Sequence, residues 1–205
     1  MAVKSALLRG IEQLPLALTA QQIEQLHAYI DLIQKWNKAY NLVGTSESAI
    51  LIKKHILDSL AIAPFVSQSP VLDVGSGAGL PGIPLAITYP QMTFTLCDAN
   101  GKKARFMRQA VIELGLSNVT VEHGRIEAYQ PDSAPMSVLA RAFAPPQEAI
   151  KILAEVCHPG GQVMLMLGVE PDILPEDETI KTIIKHKIAV PELDSQRHLL
   201  VASKL

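Results

Sequence analysis

Cysteine is scarce in this chain: Cys97 and Cys157 are the only two among 205 residues. They lie far apart and match no metal-ligand or redox spacing, which fits a reducing cytoplasm and casts both as small buried hydrophobes. Long apolar runs are missing as well. Nothing approaches the roughly 20 residues of a membrane helix. The opening MAVKSALLRGIEQL mixes charge into its apolar residues, without the continuous hydrophobic core of a signal peptide. The six histidines show no paired ligand spacing, so no metal is expected. A large net charge is absent too: the sum is −2, which taken alone argues against a nucleic-acid binder.

What is present describes a globular protein. Apolar residues make up 48% and charged residues 19%, enough for one compact domain with a sizeable core and a modest extension. The charge is unevenly spread. Lys102, Lys103, Arg105 and Arg108 fall close together, whereas Glu170, Asp172, Glu176, Asp177 and Glu178 form an acidic segment. A chain that is nearly neutral overall can still present one basic face.

The chain is organised around residues 70–82, PVLDVGSGAGLPG. Val71, Leu72 and Val74 suit a short buried parallel strand, which ends in Gly75, Gly77 and Gly79. A strand, a glycine-rich turn and a helix start is how open α/β sheets hold a nucleotide at their carboxyl edge. The dinucleotide fingerprint needs a glycine where Leu80 stands. Asp73 precedes the first glycine by two residues, and the whole resembles the first motif of class I S-adenosylmethionine-dependent methyltransferases. A second strand, Thr93–Asp98, ends in an acid about 20 residues on, where a ribose hydroxyl pair is bound. A plain tight turn and a solvated aspartate are the alternative, and they weigh less against both features together.

Residues 1–62 read as a helical extension packed on a main domain of residues 63–205. Thr19 and Gln22 form a capping box ahead of Ile23, Leu26, Ile30 and Ile33. A second helix runs from Ser46 through Leu60 to stop before Pro64. From Pro70 onward strands and helices alternate, with strands near 71–74, 93–98, 119–122, 137–140, 162–167, 182–189 and 198–203. That pattern predicts an α/β fold, a Rossmann-like doubly wound sheet of seven mostly parallel strands, the last two paired as a hairpin.

Segments across nearly the whole chain then converge: KWNKAYNL (35–42), KHILDSL (54–60), LDVGSGAGLPGIPLA (72–86), GKKARFMRQ (101–109), RAFA (141–144) and RHLL (197–200). Together they closely resemble the glucose-inhibited division protein B family, bacterial 16S ribosomal RNA guanine-N7 methyltransferases. The resemblance implies S-adenosyl-L-methionine as cofactor and 16S rRNA, in the small ribosomal subunit or its precursor, as partner. It implies a cofactor site of Gly75, Gly77, Gly79 and Leu80, with Asp98 on the ribose, Ile126 and Glu127 on the adenine side, and Arg141. On the residues alone, Ile126 reads equally as core and Glu127 as a solvated acid. One departure stands out: family members usually carry Lys-Gly after the fifth strand, where this chain has Leu167-Gly168.

Guanine N7 has no proton to lose, so methyl transfer to it needs no general base and rests on positioning. The sequence agrees by elimination. Ala144-Pro145-Pro146-Gln147 lacks the polar residue and aromatic of the exocyclic-amine motif, and no Pro-Cys nucleophile follows the fourth strand. No catalytic residue is identified. Lys102, Lys103 and Arg105, at a helix start where cations oppose the dipole, are candidates for RNA phosphate, with Arg141, Arg197 and His198 behind them. An ordinary solvated basic face is the equal alternative. A monomer is expected. A small-molecule methyltransferase and a non-catalytic, cofactor-binding ribosome-assembly factor remain the rival functions.

Overall fold

The computed structural model describes residues 2–205. The chain opens with α1 (Ala2–Ile11) and α2 (Ala20–Tyr40). A third helical rod follows: α3 (Ser48–Leu51) runs through a π-helical turn (Ile52–Leu57) into α4 (Asp58–Leu60). Then come β1 (Val71–Val74), α5 (Gly82–Thr88), β2 (Phe94–Asp98), α6 (Gly101–Glu113), β3 (Val119–His123), β4 (Ser137–Arg141), α7 (Pro146–Val156), β5 (Gln162–Leu167), β6 (Ile180–Ile188) and β7 (Arg197–Lys204). The strands form one sheet in the order β3-β2-β1-β4-β5-β7-β6. β1 to β5 run parallel, and β7 is antiparallel to both β5 and β6. The strand order reverses between β1 and β4, and the carboxyl edge at such a reversal is where open α/β sheets leave a crevice.

Local sequence explains the elements. Thr19 Oγ1 accepts from the Gln22 N–H, and Gln22 Oε1 accepts from the Thr19 N–H at 2.8 Å, the reciprocal box that starts α2. The same Gln22 side chain donates to the Ile87 and Thr88 carbonyls at 2.8 and 3.0 Å, so the cap also fastens α2 to the end of α5. Every residue of β1 is buried, because this central strand is covered on both faces. Asn100 caps α6 with its side-chain oxygen on the Lys102 and Lys103 N–H groups.

The core has two parts, one on each face of the sheet. On one face Leu7, Leu26, Ile33 and Ile56 of the N-terminal helices pack with Ile83, Leu96 and Phe106. On the other face Leu72, Val138 and Val163 meet Ile150 and Leu153 of α7. Each such aliphatic side chain taken from water contributes about 2 kcal/mol, and the N-terminal helices supply a large share of the first cluster. Among the described residues no helix is long and apolar enough to cross a membrane.

Candidate cofactor and substrate site

The loop after β1 is shaped by three glycines in the left-handed region, Gly75 (φ +67°), Gly77 (φ +62°) and Gly79 (φ +84°). The close approach is real at Gly79, where an added Cβ would lie 2.5 Å from Ile83 Cδ1. The loop is held from several sides. The Gly75 and Ser76 N–H groups donate to the Cys97 carbonyl at 2.9 and 3.1 Å. Ser76 Oγ donates to the Asp73 carbonyl at 2.8 Å. From behind, the fully buried Tyr29 of α2 donates its hydroxyl to the Ala78 carbonyl.

Asp98, at the end of β2, accepts the Gly77 N–H on Oδ2 and the Asn100 N–H on Oδ1, both at 2.8 Å. Each carboxylate oxygen keeps a lone pair for a further donor. The Asp98 carbonyl accepts the Gly124 N–H at 3.2 Å, which ties the segment carrying Ile126 and Glu127 to the end of β2. Ile126 is buried in the second core cluster and Glu127 is exposed. Asp73 lies beneath the loop, fully buried. Its Oδ2 accepts the Gly82 N–H at 2.8 Å, and Oδ1 has no partner. Burial pushes its carboxyl up to about 7, against the pull of the Gly82 N–H. A glycine cradle beside a carboxylate with spare acceptor capacity fits a nucleoside-bearing cofactor.

A cavity of about 540 Å³ adjoins this loop, lined by Gly75, Gly77, Leu80, Lys103, Arg141 and Arg197 among others. On its wall one carboxylate holds two arginines. Arg141 Nη1, at the end of β4, lies 3.3 Å from Asp58 Oδ2 and 3.3 Å from the Lys54 carbonyl. Arg197 Nε, at the start of β7, donates to Asp58 Oδ1 at 2.9 Å. Burial pushes the Asp58 carboxyl up, and the two guanidiniums pull it back. Two cations on one anion leave this wall net positive. His55, one turn earlier, is lowered to about 4 by burial first and by Arg141 second, so it is neutral, and its Nδ1 has no partner. After Arg141 the chain turns sharply through Ala142, a non-glycine residue at φ +50°.

The structure therefore brings together six of the expected residues at one cavity. Gly79 lies in the same loop and Asp98, at the end of β2, bonds to Gly77 of that loop, but neither lines the cavity, and Ile126 and Glu127 belong to the neighbouring turn. Leu167 and Gly168 also line the cavity, so the departure from the family pattern falls on the site wall, where Lys54, Lys103, Arg141 and Arg197 are the cations. Lys102 and Arg105 face a separate outer groove. His198 is different. Its β7 neighbours Leu199 and Leu200 are wholly buried and His198 is 4% exposed, so a docking RNA cannot reach it without rearrangement. Asp58, which holds the two arginines, and Tyr29, which holds the loop, are the structural contributors to this site that sequence reasoning missed.

A second cavity, about 570 Å³, runs from the start of β1 past Thr95 and Cys97 of β2 to the end of β3 and the segment after it, near Arg125 and Tyr129. It is lined by none of the expected residues. Among the described residues no group of three His, Cys, Asp or Glu side chains is arranged to hold a metal ion.

Comparisons with known proteins agree with this fold. The family model described as rRNA small subunit methyltransferase G matches residues 22–200. The chain is 43% identical over 204 residues to a ribosomal RNA small subunit methyltransferase G of Laribacter hongkongensis, covering 98% of each chain. It is 42% identical over 206 residues to the protein of that name from Cellvibrio japonicus, covering 97% of this chain and 94% of the relative. Among solved structures, the S-adenosylmethionine-dependent methyltransferase SibL superposes with a TM-score of 0.61 at 16% identity, over 99% of this chain and 74% of its own, which speaks to the fold. A SAM-dependent methyltransferase from Aquifex aeolicus does so at 0.55 and 17% identity, over 76% and 93%. The chain belongs to the rRNA small subunit methyltransferase G family.

Proposed function

We propose that this protein transfers the methyl group of S-adenosyl-L-methionine to N7 of one guanine in the decoding-region loop of 16S rRNA, within the small subunit or its precursor. The observation that carries the reading is the composition of the cavity beside the glycine loop. Its one acid, Asp58, is engaged by two arginines, and its one histidine is neutral and a poor base. A site with no free base suits an acceptor that has a lone pair and no proton to surrender.

The cofactor supplies an electrophilic methyl group on a sulfonium. Gly75, Gly77, Gly79 and Leu80 shape its methionine portion, and Asp98 accepts from the ribose hydroxyls with the lone pairs left by Gly77 and Asn100. The Ile126 backbone and the Glu127 carboxylate take the adenine edge. Arg141 and Arg197 face the acceptor, where guanidinium donors suit guanine O6 or a flanking phosphate. Held in place by Asp58, they fix the base so that N7 lies in line with the methyl group, and positioning supplies most of the rate. Lys103 completes the anion-attracting wall. The names of the two relatives support a ribosomal RNA substrate, and the cations outside the cavity support a large anionic one.

The test uses methyl-labelled cofactor and small subunits from a strain lacking this modification, with the product nucleotide mapped by mass spectrometry. Label as 7-methylguanosine at a single position is the expected result. Label at another atom would overturn the acceptor assignment. Confirmed cofactor binding without any label would favour the small-molecule or assembly-factor functions.

A further inference from the structure

Aromatic residues are only 4% of the chain, yet four of their rings form one continuous column. Tyr29 stacks on Phe106 with centroids 6.4 Å apart, Phe106 meets Trp36 edge-on at 5.6 Å, and Trp36 stacks on Tyr40 at 5.2 Å. The inner end is buried, with the Tyr29 hydroxyl on the cofactor loop. The outer end, Tyr40, is 36% exposed. It lines a groove of about 750 Å³ together with Lys102, Arg105, Arg108 and His123.

The groove's cations have no acidic partner among the described residues, and Arg108 Nη2 donates only to the Val121 carbonyl, at 3.4 Å. Lys102, Arg105, Gln109 and Ile112 recur at helical spacing and form one stripe of α6, while Ala104, Phe106, Met107 and Ala110 form the buried stripe. None of the ion pairs among the described residues involves Lys102, Arg105 or Arg108. Lys102, in the first turn, also opposes the dipole at the start of α6. Lys103, one residue on, turns the other way and lines the acceptor cavity. The first turns of α6 thus divide two cation-lined recesses, one with the glycine loop and one with an aromatic ring at its edge.

We infer that the groove between the end of α2 and α6 is a second RNA subsite, taking a single-stranded nucleotide other than the target guanine. Its base stacks against Tyr40, and the adjoining phosphates lie on Lys102, Arg105 and Arg108. The inference rests on the RNA substrate proposed above and adds where a neighbouring nucleotide goes. An exposed aromatic beside unpaired cations is the pairing that single-stranded nucleic acid uses, because every base has a face to stack and every linkage a charge.

The test measures equilibrium binding without turnover, on the full chain, for deproteinised small-subunit RNA and for oligoadenylate, a strand with no guanine. Trp36, the single tryptophan, stacks on Tyr40 and reports occupancy by its emission. Tyr40→Ala is expected to weaken binding of both about tenfold, as loss of one stacked base does, while Tyr40→Phe binds as wild type. The double variant Arg105→Gln, Arg108→Gln is expected to flatten the dependence of log affinity on log salt by about 1.4. Cofactor affinity stays as wild type in all of them.

Several results would overturn the inference. One is wild-type RNA affinity in Tyr40→Ala. Another is a parallel loss of cofactor affinity, which would mean the column acts on the glycine loop. A third is unchanged binding of deproteinised RNA with weaker binding of intact subunits, which would assign the groove to a ribosomal protein. Absence of affinity for either RNA in the wild-type chain would also end it. Should the wild type bind RNA through this groove and methylate no guanine, the proposed function fails and the subsite stands.

Discussion

Asp58 accepts from Arg141 and Arg197, which follow it by 83 and 139 positions, and it joins the N-terminal helices to β4 and β7. Removing it would leave two guanidiniums facing each other in a largely buried wall. Breaking a buried ion pair by deleting one partner costs about 3 kcal/mol or more. We predict that Asp58→Ala lowers unfolding free energy by about that amount in denaturant titrations and loses methyl transfer, whereas Asp58→Asn keeps more of both. Equal stability of Asp58→Ala and wild type would remove Asp58 from its proposed role. None of this was legible in the sequence, because Asp58 sits in a helical pattern with no distinctive spacing and its partners are remote. The placement of Asp98 against the glycine loop was legible, since it depends on neighbours a few residues or one strand away. His198 was misleading: its position beside Arg197 suggested a basic surface pair, but a strand covered on both faces buries the histidine and leaves only the arginine at the cavity.

At the scale of elements, the helix after the loop is set by contact rather than by its own propensity. Gly82 begins α5, and a Cβ there would lie 2.2 Å from Leu96 Cδ2 and 2.7 Å from Asp73 Oδ2. Both are side-chain ends of wholly buried residues, with Asp73 Cβ 3.2 Å away behind them, so there is little room for either to give. We predict that Gly82→Ala pushes α5 outward, destabilises the fold by about 1–3 kcal/mol and weakens cofactor binding at least as strongly as it lowers the melting temperature. A variant with wild-type cofactor affinity would show that the loop tolerates displacement of its helix. The strands were readable to within two residues, because the run of short apolar segments and glycine turns has no other economical fold. The π-helical turn of residues 52–57 was not readable. An extra residue in a helical turn leaves no mark on an apolar pattern, yet it sets how Lys54 offers its carbonyl to Arg141 and where Asp58 points.

For the whole molecule, the buried carboxyl of Asp73 links stability to pH. Its folded value, about 7, lies above the roughly 3.9 of an unfolded aspartate, so the native state holds its proton more tightly. The stabilisation is complete below pH 4 and is lost as pH rises through 7. We predict that the stability difference between wild type and Asp73→Asn shifts against the wild type by on the order of 4 kcal/mol between pH 4 and pH 8. Taking the difference cancels His55, which titrates in the opposite sense. A difference that stays flat with pH would show that Asp73 is ionised at little cost.

The hydroxyl of Tyr29 on the Ala78 carbonyl extends this dependence beyond the carboxyl edge. A genetic selection for loss of methylation would not return lesions in the glycine motif alone. It would also recover changes at Tyr29, a buried residue of α2 that touches no substrate, because its hydroxyl props the nucleotide loop from behind. For this protein the mutational target of a single activity is spread over the two ends of one hydrogen bond, 49 positions apart.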